Sequence, residues 1–342
     1  MMIPRTAECV TPYHPDKLCD RISDAILDAC LEQDPMSRVA IEVMGGHGCI
    51  DITGELTTKA YVDMGKIAKG LAGKNYGVKV NVVQQSPNIA GGVDTGGAGD
   101  QGIMRGYACD ENELMMPQEY YLARSLAQFL FEKYPYDGKT QITLGEYGEI
   151  TEIVSSFQNV EKSMLEKSAK EWIKVMDLKI IMGRGARILC NPAGDWELGS
   201  FDADTGVTGR KLIVDNYGPQ VAIGGGAFSG KDATKVDRSA AYMARKIATD
   251  YLRTAKEGGE KNIKVWVTIA YAIGVAEPVM ATAEVEYDHA QGRFKEQHNL
   301  LEKKEYDLTP KGIIELLDLR KPQFENTARW GHFGNGFKWE IK

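Results

Sequence analysis

No apolar run in this chain of 342 residues approaches the roughly 20 that a membrane helix needs, so no span is expected. The start, MMIPRTAECV, has no apolar stretch after its single Arg5; no secretory leader is visible and a cytosolic protein is expected. Cysteine is scarce: the six (Cys9, Cys19, Cys30, Cys49, Cys109, Cys190) form no CxxC pair and have no His spacing suited to zinc. They are expected to be reduced and mostly to pack in the interior. Positive charge is in deficit too, with Lys+Arg 41 against Asp+Glu 48 and a formal net charge of −7. That balance excludes a general nucleic-acid binder, whose footprint is basic. A basic cluster in so acidic a chain is aimed at one particular anion.

What remains is a soluble globular composition, 43% hydrophobic and 26% charged. At about 150 residues per domain the length suggests two or three domains. Residues 16–31 place Leu18, Ile22, Ala25, Ile26 and Ala29 on one helical stripe. Asp16, Asp20, Asp24 and Asp28 fall on another face; the last three are expected to meet solvent, while Asp16 stands in the first turn beside His14 and Lys17. Strands are expected at 38–43, 49–56 and 78–84, with a helix at 58–72. The Gly- and Asp-rich stretch 86–102 reads as a long flexible loop of the kind that forms lids. A second unit should hold helices at 118–133 and 161–176 around strands within 140–156. A third should hold strands at 211–215, 263–273 and 279–287 and a helix at 233–253 carrying Val236, Ala240, Met243 and Ile247. The similar mixture in each unit suggests a triplicated architecture.

GGGAFSGKD, residues 224–232, nearly spells a phosphate-binding loop, but Asp232 stands where a Walker A loop needs Ser or Thr for magnesium. Asp232 is suited to cap a helix starting at 233, which would set Gly225, Gly226 and Gly230 at a helix N-terminus, a geometry that favours an anion. Lys231 and Lys235, four apart, add charge. The bland reading is a glycine turn before a surface helix. His14 and Asp16 in HPDK, together with Asp237, offer magnesium ligands, since magnesium takes one or two carboxylates plus phosphate oxygens. TGRK (208–211) after Asp204 supplies a guanidinium and an ammonium for phosphate, although many such pairs only face water; DGK (137–139) alone is a turn.

Together, HPDK, AGDQG (98–102), TGRKLIVD (208–215), GGGAFSGKD with KVDRSA (235–240), YAIGVAEP (271–278) and GHFG (331–334) closely resemble the S-adenosylmethionine synthetases, and the resemblance covers nearly the whole chain. It implies an α/β (α+β) fold of three similar domains about a pseudo-threefold axis, here taken as residues 1–90, 91–199 and 200–342 with a gating loop at 85–97. It implies a homodimer with shared active sites, in some members paired into a homotetramer. The implied reaction joins ATP and L-methionine, with hydrolysis of the departing tripolyphosphate, and uses two magnesium ions and one potassium ion.

Carried over residue by residue, His14 resembles the group that steadies the departing oxygen, Asp16 and Asp237 the magnesium ligands, and Glu42 the potassium carboxylate. Lys139, Arg210, Lys211 and Lys231 would grip phosphate, with Asp137, Gly138, Asp195, Trp196, Asp204 and Ala227 completing the ATP site. Glu55, Gln85, Asp204 and Lys235 match methionine-binding positions, and Asp100 lies in the AGDQG signature. Tyr13 replaces a common Gly, Trp196 a common Phe and Asp195 a frequent Arg, and 85–97 is shorter than the usual gating loop. An alternative on the same cation cluster is an ATP-dependent phosphotransferase or ATPase; a non-catalytic nucleotide sensor is another.

Overall fold

The computed structural model describes residues 3–85, 96–176 and 182–341, so most of the expected gating loop lies outside the described residues. Among the described residues, twelve strands form three four-stranded sheets. One is ordered β4-β3-β2-β9, from β2 (Arg38–Gly46), β3 (Cys49–Thr57), β4 (Gly77–Val83) and β9 (Gly206–Val207). A second is β1-β6-β7-β8, from β1 (Arg5–Val10), β6 (Gly138–Leu144), β7 (Ile150–Phe157) and β8 (Met182–Cys190). The third is β12-β11-β10-β5, from β5 (Gly102–Cys109), β10 (Lys261–Tyr271), β11 (Met280–His289) and β12 (Gly292–Asn299). Each sheet takes one strand from a remote part of the chain: β9, β1 and β5 respectively.

Helices cover one face of each sheet, and the period of the apolar residues says which. In β2, Val39, Ile41 and Val43 are buried beneath helix α1 (Pro15–Gln33), while Glu42 and Met44 alternate outward. Helix α2 (Met64–Ala72) joins the same layer; it begins at the Asp63 cap, six residues later than its composition suggested, because the 58–62 segment contributes no helical turn. Helices α3 (Gln118–Lys133) and α4 (Lys162–Val175) cover the second sheet. Two one-turn helices follow, α5 (Ser200–Ala203) and α6 (Leu212–Asp215). The third sheet is covered by α7 (Val236–Glu257), whose Val236, Ala240, Met243 and Ile247 are all fully buried.

Three expectations are corrected. The strand expected at 211–215 is α6: Asp215 N–H turns back to Lys211 C=O at 2.8 Å, and the short apolar run Leu212-Ile213-Val214 does not itself distinguish strand from helix. The long helix starts at Val236, not 233, because Asp232 uses its side chain to close a turn on Thr234 N–H and to accept from Val39 N–H. Asp20 and Asp24 are buried, not solvated, and Asp28 is partly so, because α1 is enclosed on nearly every side. Five of the six cysteines are buried and Cys49 is exposed, all of them free. Part of the expected flexible loop is fixed: Ala98 N–H donates to Val275 C=O, and Gly274 N–H donates to Ala98 C=O.

Candidate functional site

The N-terminus of α1 organises the first group of polar residues. His14 caps it, its Nδ1 accepting the Asp16 N–H at 3.2 Å. An accepting Nδ1 leaves the proton of a neutral imidazole on Nε2, pointing a donor outward. Burial, with the Lys211 charge beside it, pushes the His14 pKa down to about 3, so the ring is neutral at physiological pH. Asp16, 2% exposed, accepts the Val207 N–H at 2.9 Å and Lys211 Nζ at 2.5 Å, with Arg210 Nε at 3.6 Å. Burial is the largest single influence and would raise its carboxyl, but the Lys211 hydrogen bond and charge, the Val207 N–H and His14 together outweigh it and hold it below the ordinary range. Lys139 on β6 reaches Glu8 at 3.3 Å, and its charge, like that of Asp204, is felt at His14.

Asp137 is buried and accepts the Ser200 N–H at 2.8 Å, tying the start of β6 to α5; burial pushes its carboxyl up to about 6. Gly138 donates its N–H to Thr11 Oγ1, and a Cβ there would strike the Phe157 ring. Asp204 is exposed and accepts the Thr205 N–H at 2.7 Å. Trp196 lies over Gly199, where a Cβ would come within 3.0 Å of the indole; the glycine gives the larger ring its room. Asp195 accepts Lys162 N–H and Asn191 Nδ2, anchoring the start of α4. Tyr13 packs at a tilt against Phe131, at 5.8 Å between ring centroids, under Arg21.

A second group surrounds the glycine turn. Lys231 meets Asp237 at 2.6 Å and Lys235 pairs with Asp232. Gly226 lies directly against the Asp237 carboxylate, where any Cβ would overlap it, and Gly102, ending AGDQG, borders its Oδ1. Asp100 itself is exposed and accepts the Gln101 N–H. The turns carrying the two groups touch: a Cβ at Gly209 would stand 2.6 Å from that of Ala227. Lys231, Ala40 and Glu55 occupy one transverse row, since Ala40 bridges Lys231 on one side and faces Glu55 on the other. Glu42 is exposed on β2. Gln85 is 7% exposed with its Oε1 unpartnered, as is Thr234 Oγ1, and both border a cavity of ≈ 500 Å³. Among the described residues no hydrogen bond or ion pair joins a side chain of the first group to one of the second.

Sequence reasoning missed the support beneath these groups. Lys17, 1% exposed, bridges Asp215 at 2.5 Å and Asp20 at 3.2 Å. Arg238, fully buried, forks onto Asp24 at 2.7 and 2.8 Å and donates to Tyr242 Oη at 3.0 Å; Tyr242 in turn meets His332 Nδ1 at 2.8 Å. The i,i+4 ladder of Asp on α1 was the available signal, and only its partners gave it meaning.

Fold and site together define a mixed α/β protein of three four-stranded sheets that gathers lysine and arginine beside carboxylates, an arrangement fit for a polyphosphate. The chain matches the families described as S-adenosylmethionine synthetase N-terminal domain over residues 3–87, central domain over 95–196 and C-terminal domain over 198–341. It is 40% identical over 392 residues to the S-adenosylmethionine synthase of Bifidobacterium adolescentis, covering 98% of this chain and 95% of that protein. It is 40% identical over 383 residues to the synthase of Brachyspira hyodysenteriae, with the same coverage. The chain belongs to the S-adenosylmethionine synthetase family.

Proposed function

We propose that this protein is a methionine adenosyltransferase, making S-adenosyl-L-methionine from ATP and L-methionine. The observation that carries the reading is the pairing of Lys211 with Asp16 and of Lys231 with Asp237, on neighbouring turns, in a chain that matches the family throughout. Both relatives are named as synthases, and nothing in them supports the phosphotransferase alternative.

A thioether sulfur needs no general base. Its lone pair forms the bond to ribose C5′ while the electrons of the C5′–O bond leave with tripolyphosphate, giving a sulfonium cation. Catalysis then lies in alignment and in stabilising charge on the leaving group. Lys139, Arg210, Lys211 and Lys231 supply that charge, and the Nε2–H of neutral His14 donates to the departing oxygen. Water then cleaves the tripolyphosphate to phosphate and pyrophosphate in the same cation-lined space. Asp137, Gly138, Trp196, Asp204 and Ala227 border the nucleotide, with Asp195 acting through the loop it anchors. Glu55 and Asp204 suit the methionine ammonium, Lys235 suits its carboxylate, and the unpartnered Gln85 Oε1 is a free acceptor.

Asp16 and Asp237 fit magnesium as single-carboxylate anchors: among the described residues no group of three or more His, Cys, Asp or Glu forms a ready-made cage, and magnesium characteristically completes its shell with water and substrate phosphate. Gly226 keeps the flank of Asp237 open. Two such ions would neutralise phosphate oxygens. Glu42 is a single exposed donor for potassium, so the remaining ligands would come from water or a second copy. A homodimer is supported by the outer face of β2–β4, which carries Glu42 and Glu55 beside the exposed Met44 and Val83. Pairing of dimers into a tetramer, the domain limits at 90/91 and 199/200 and a cytoplasmic location belong to the same reading. No helix among the described residues is long and apolar enough to cross a membrane. The test is mass spectrometry of a reaction with ATP and methionine: a sulfonium product is expected, and γ-phosphate release without it would sink the reading.

A further inference from the structure

Two glycines immediately precede the cationic residues of the site, Gly209 before Arg210–Lys211 and Gly230 before Lys231, and both have φ of 81°. Each is held by the same device. Gly209 N–H donates to Asp20 Oδ1 at 2.8 Å, and Gly230 N–H donates to Asp24 Oδ1 at 2.8 Å. Asp20 and Asp24 stand on successive turns of α1, about 6 Å apart along its axis. A buried cation backs each carboxylate: Lys17, shared with Asp215, behind Asp20, and Arg238 behind Asp24. Arg238 also donates to the Lys231 C=O at 3.0 Å, so the ion pair grips the peptide before Gly230 and the one after Lys231. A buried ion pair is a poor source of stability compared with apolar packing, which leaves geometry as what these pairs contribute.

We propose that Asp20 and Asp24 are positioning residues that use the rise of α1 to fix the distance between the Arg210–Lys211 turn and the Lys231 turn. The inference rests on the reading of those cations as the polyphosphate grip. Asp28, the next carboxylate on the ladder, provides the internal control: it accepts the N–H groups of Gln323, Phe324 and Glu325, starting helix α10 (Phe324–Trp330), and touches neither turn. Between α7 and α10 in sequence lie α8 (Leu300–Lys303) and α9 (Pro310–Leu317).

Asp20→Glu and Asp24→Glu keep the charge and shift the acceptor by one methylene. Sulfonium formation is measured at a temperature where circular dichroism shows each variant fully folded. The expected result is a kcat about 10- to 100-fold lower, with the methionine KM changed less than about threefold, and an Asp28→Asn protein that keeps its kcat. If a Glu variant does not fold, Arg238→Lys, which keeps the charge but gives up the fork, is read in the same way. Wild-type kcat in the folded Glu variants, or an equal loss in Asp28→Asn, overturns the inference. Lys231→Ala is run alongside: a large loss there with none in the Glu variants rejects positioning alone, whereas wild-type turnover in Lys231→Ala rejects the site reading beneath it.

Discussion

Lys17→Met tests how far the floor of the site depends on one buried ammonium. Lys17 is 1% exposed, with Nζ 2.5 Å from Asp215 and 3.2 Å from Asp20. At an effective dielectric of about 20 a pair at the closer distance attracts by about 7 kcal/mol, of which desolvation of the three charges cancels a large part. Burial alone would lower the Lys17 ammonium, yet its two carboxylates outweigh that and raise it, the sign of a net favourable contact. Methionine fills a similar volume but leaves two buried carboxylates facing each other. The expected loss is about 3–5 kcal/mol, typical of removing one partner from a buried pair. In a chain of this size that corresponds to a fall in Tm of about 6–10 °C, at about 2 °C per kcal/mol. The loss must also depend on pH. An orphaned carboxyl held in an apolar site has a folded pKa above its unfolded value, so its contribution is intact at low pH and lost as pH rises through the folded pKa. Calorimetry at pH 5 and pH 8 should therefore show the larger deficit at pH 8, and Lys17→Met/Asp215→Asn should recover part of it. A deficit below about 1 kcal/mol, or one equal at both pH values, would refute the reasoning.

Other expectations concern the site more directly. Asp16→Asn or Lys231→Ala should lower turnover at least about a hundredfold, the loss of one electrostatic stabiliser, and wild-type rates in the purified variants would exclude the assignment. Gly226→Ala places a methyl on the Asp237 carboxylate, so turnover should fall more than about tenfold and need more magnesium to reach half its maximum; an unchanged magnesium curve would contradict it. The His14 ring in the free protein should show no NMR titration between about pH 5 and 8, since burial and Lys211 hold it near 3; a midpoint near 6.5 would mean that the ring is solvated. Burial raises Asp28 from 3.8 to about 6. Its stabilising contribution is therefore present below about pH 4 and lost as pH rises through about 6, by of order 2–3 kcal/mol. Denaturant melts of Asp28→Asn between those pH values should show a flatter slope than wild type.

Local periodicity was legible in the sequence. Helix α3 has the expected limits, and the alternation of Val39, Ile41 and Val43 announced β2, because both patterns are set by near neighbours. The expectation of a phosphate-gripping site came from HPDK, TGRK and GGGAFSGKD, where charge types cluster within a few residues, and the reaction class came only with the family resemblance that these motifs carry together. Remote pairing was not. Asp20 and Asp24 look like a solvated helix face until Gly209 and Gly230 are seen against them, 189 and 206 residues away. Strands β1, β5, β8, β9 and β12 went unmarked: β5 has its partner β10 far along the chain, from Gly102↔Tyr271 to Cys109↔Lys264, and the outward residues of β12 are polar and exposed. Asp232 suited a helix cap by type, but a side chain already committed to Val39 and Thr234 cannot also begin a helix.

The borrowed strands bear on how the chain matures during synthesis. The sheet built on β2 and β3 has its edge strand only after residue 207 has left the ribosome, and β5 waits for β10, which ends at residue 271, before it has a neighbour. Loop closures of that span are slow, and the exposed edges they leave open in the meantime invite association with other nascent chains. Fragments cut near residues 90 or 199 would each carry an incomplete ladder and should regain native spectra only when mixed with the fragment that holds the missing strand.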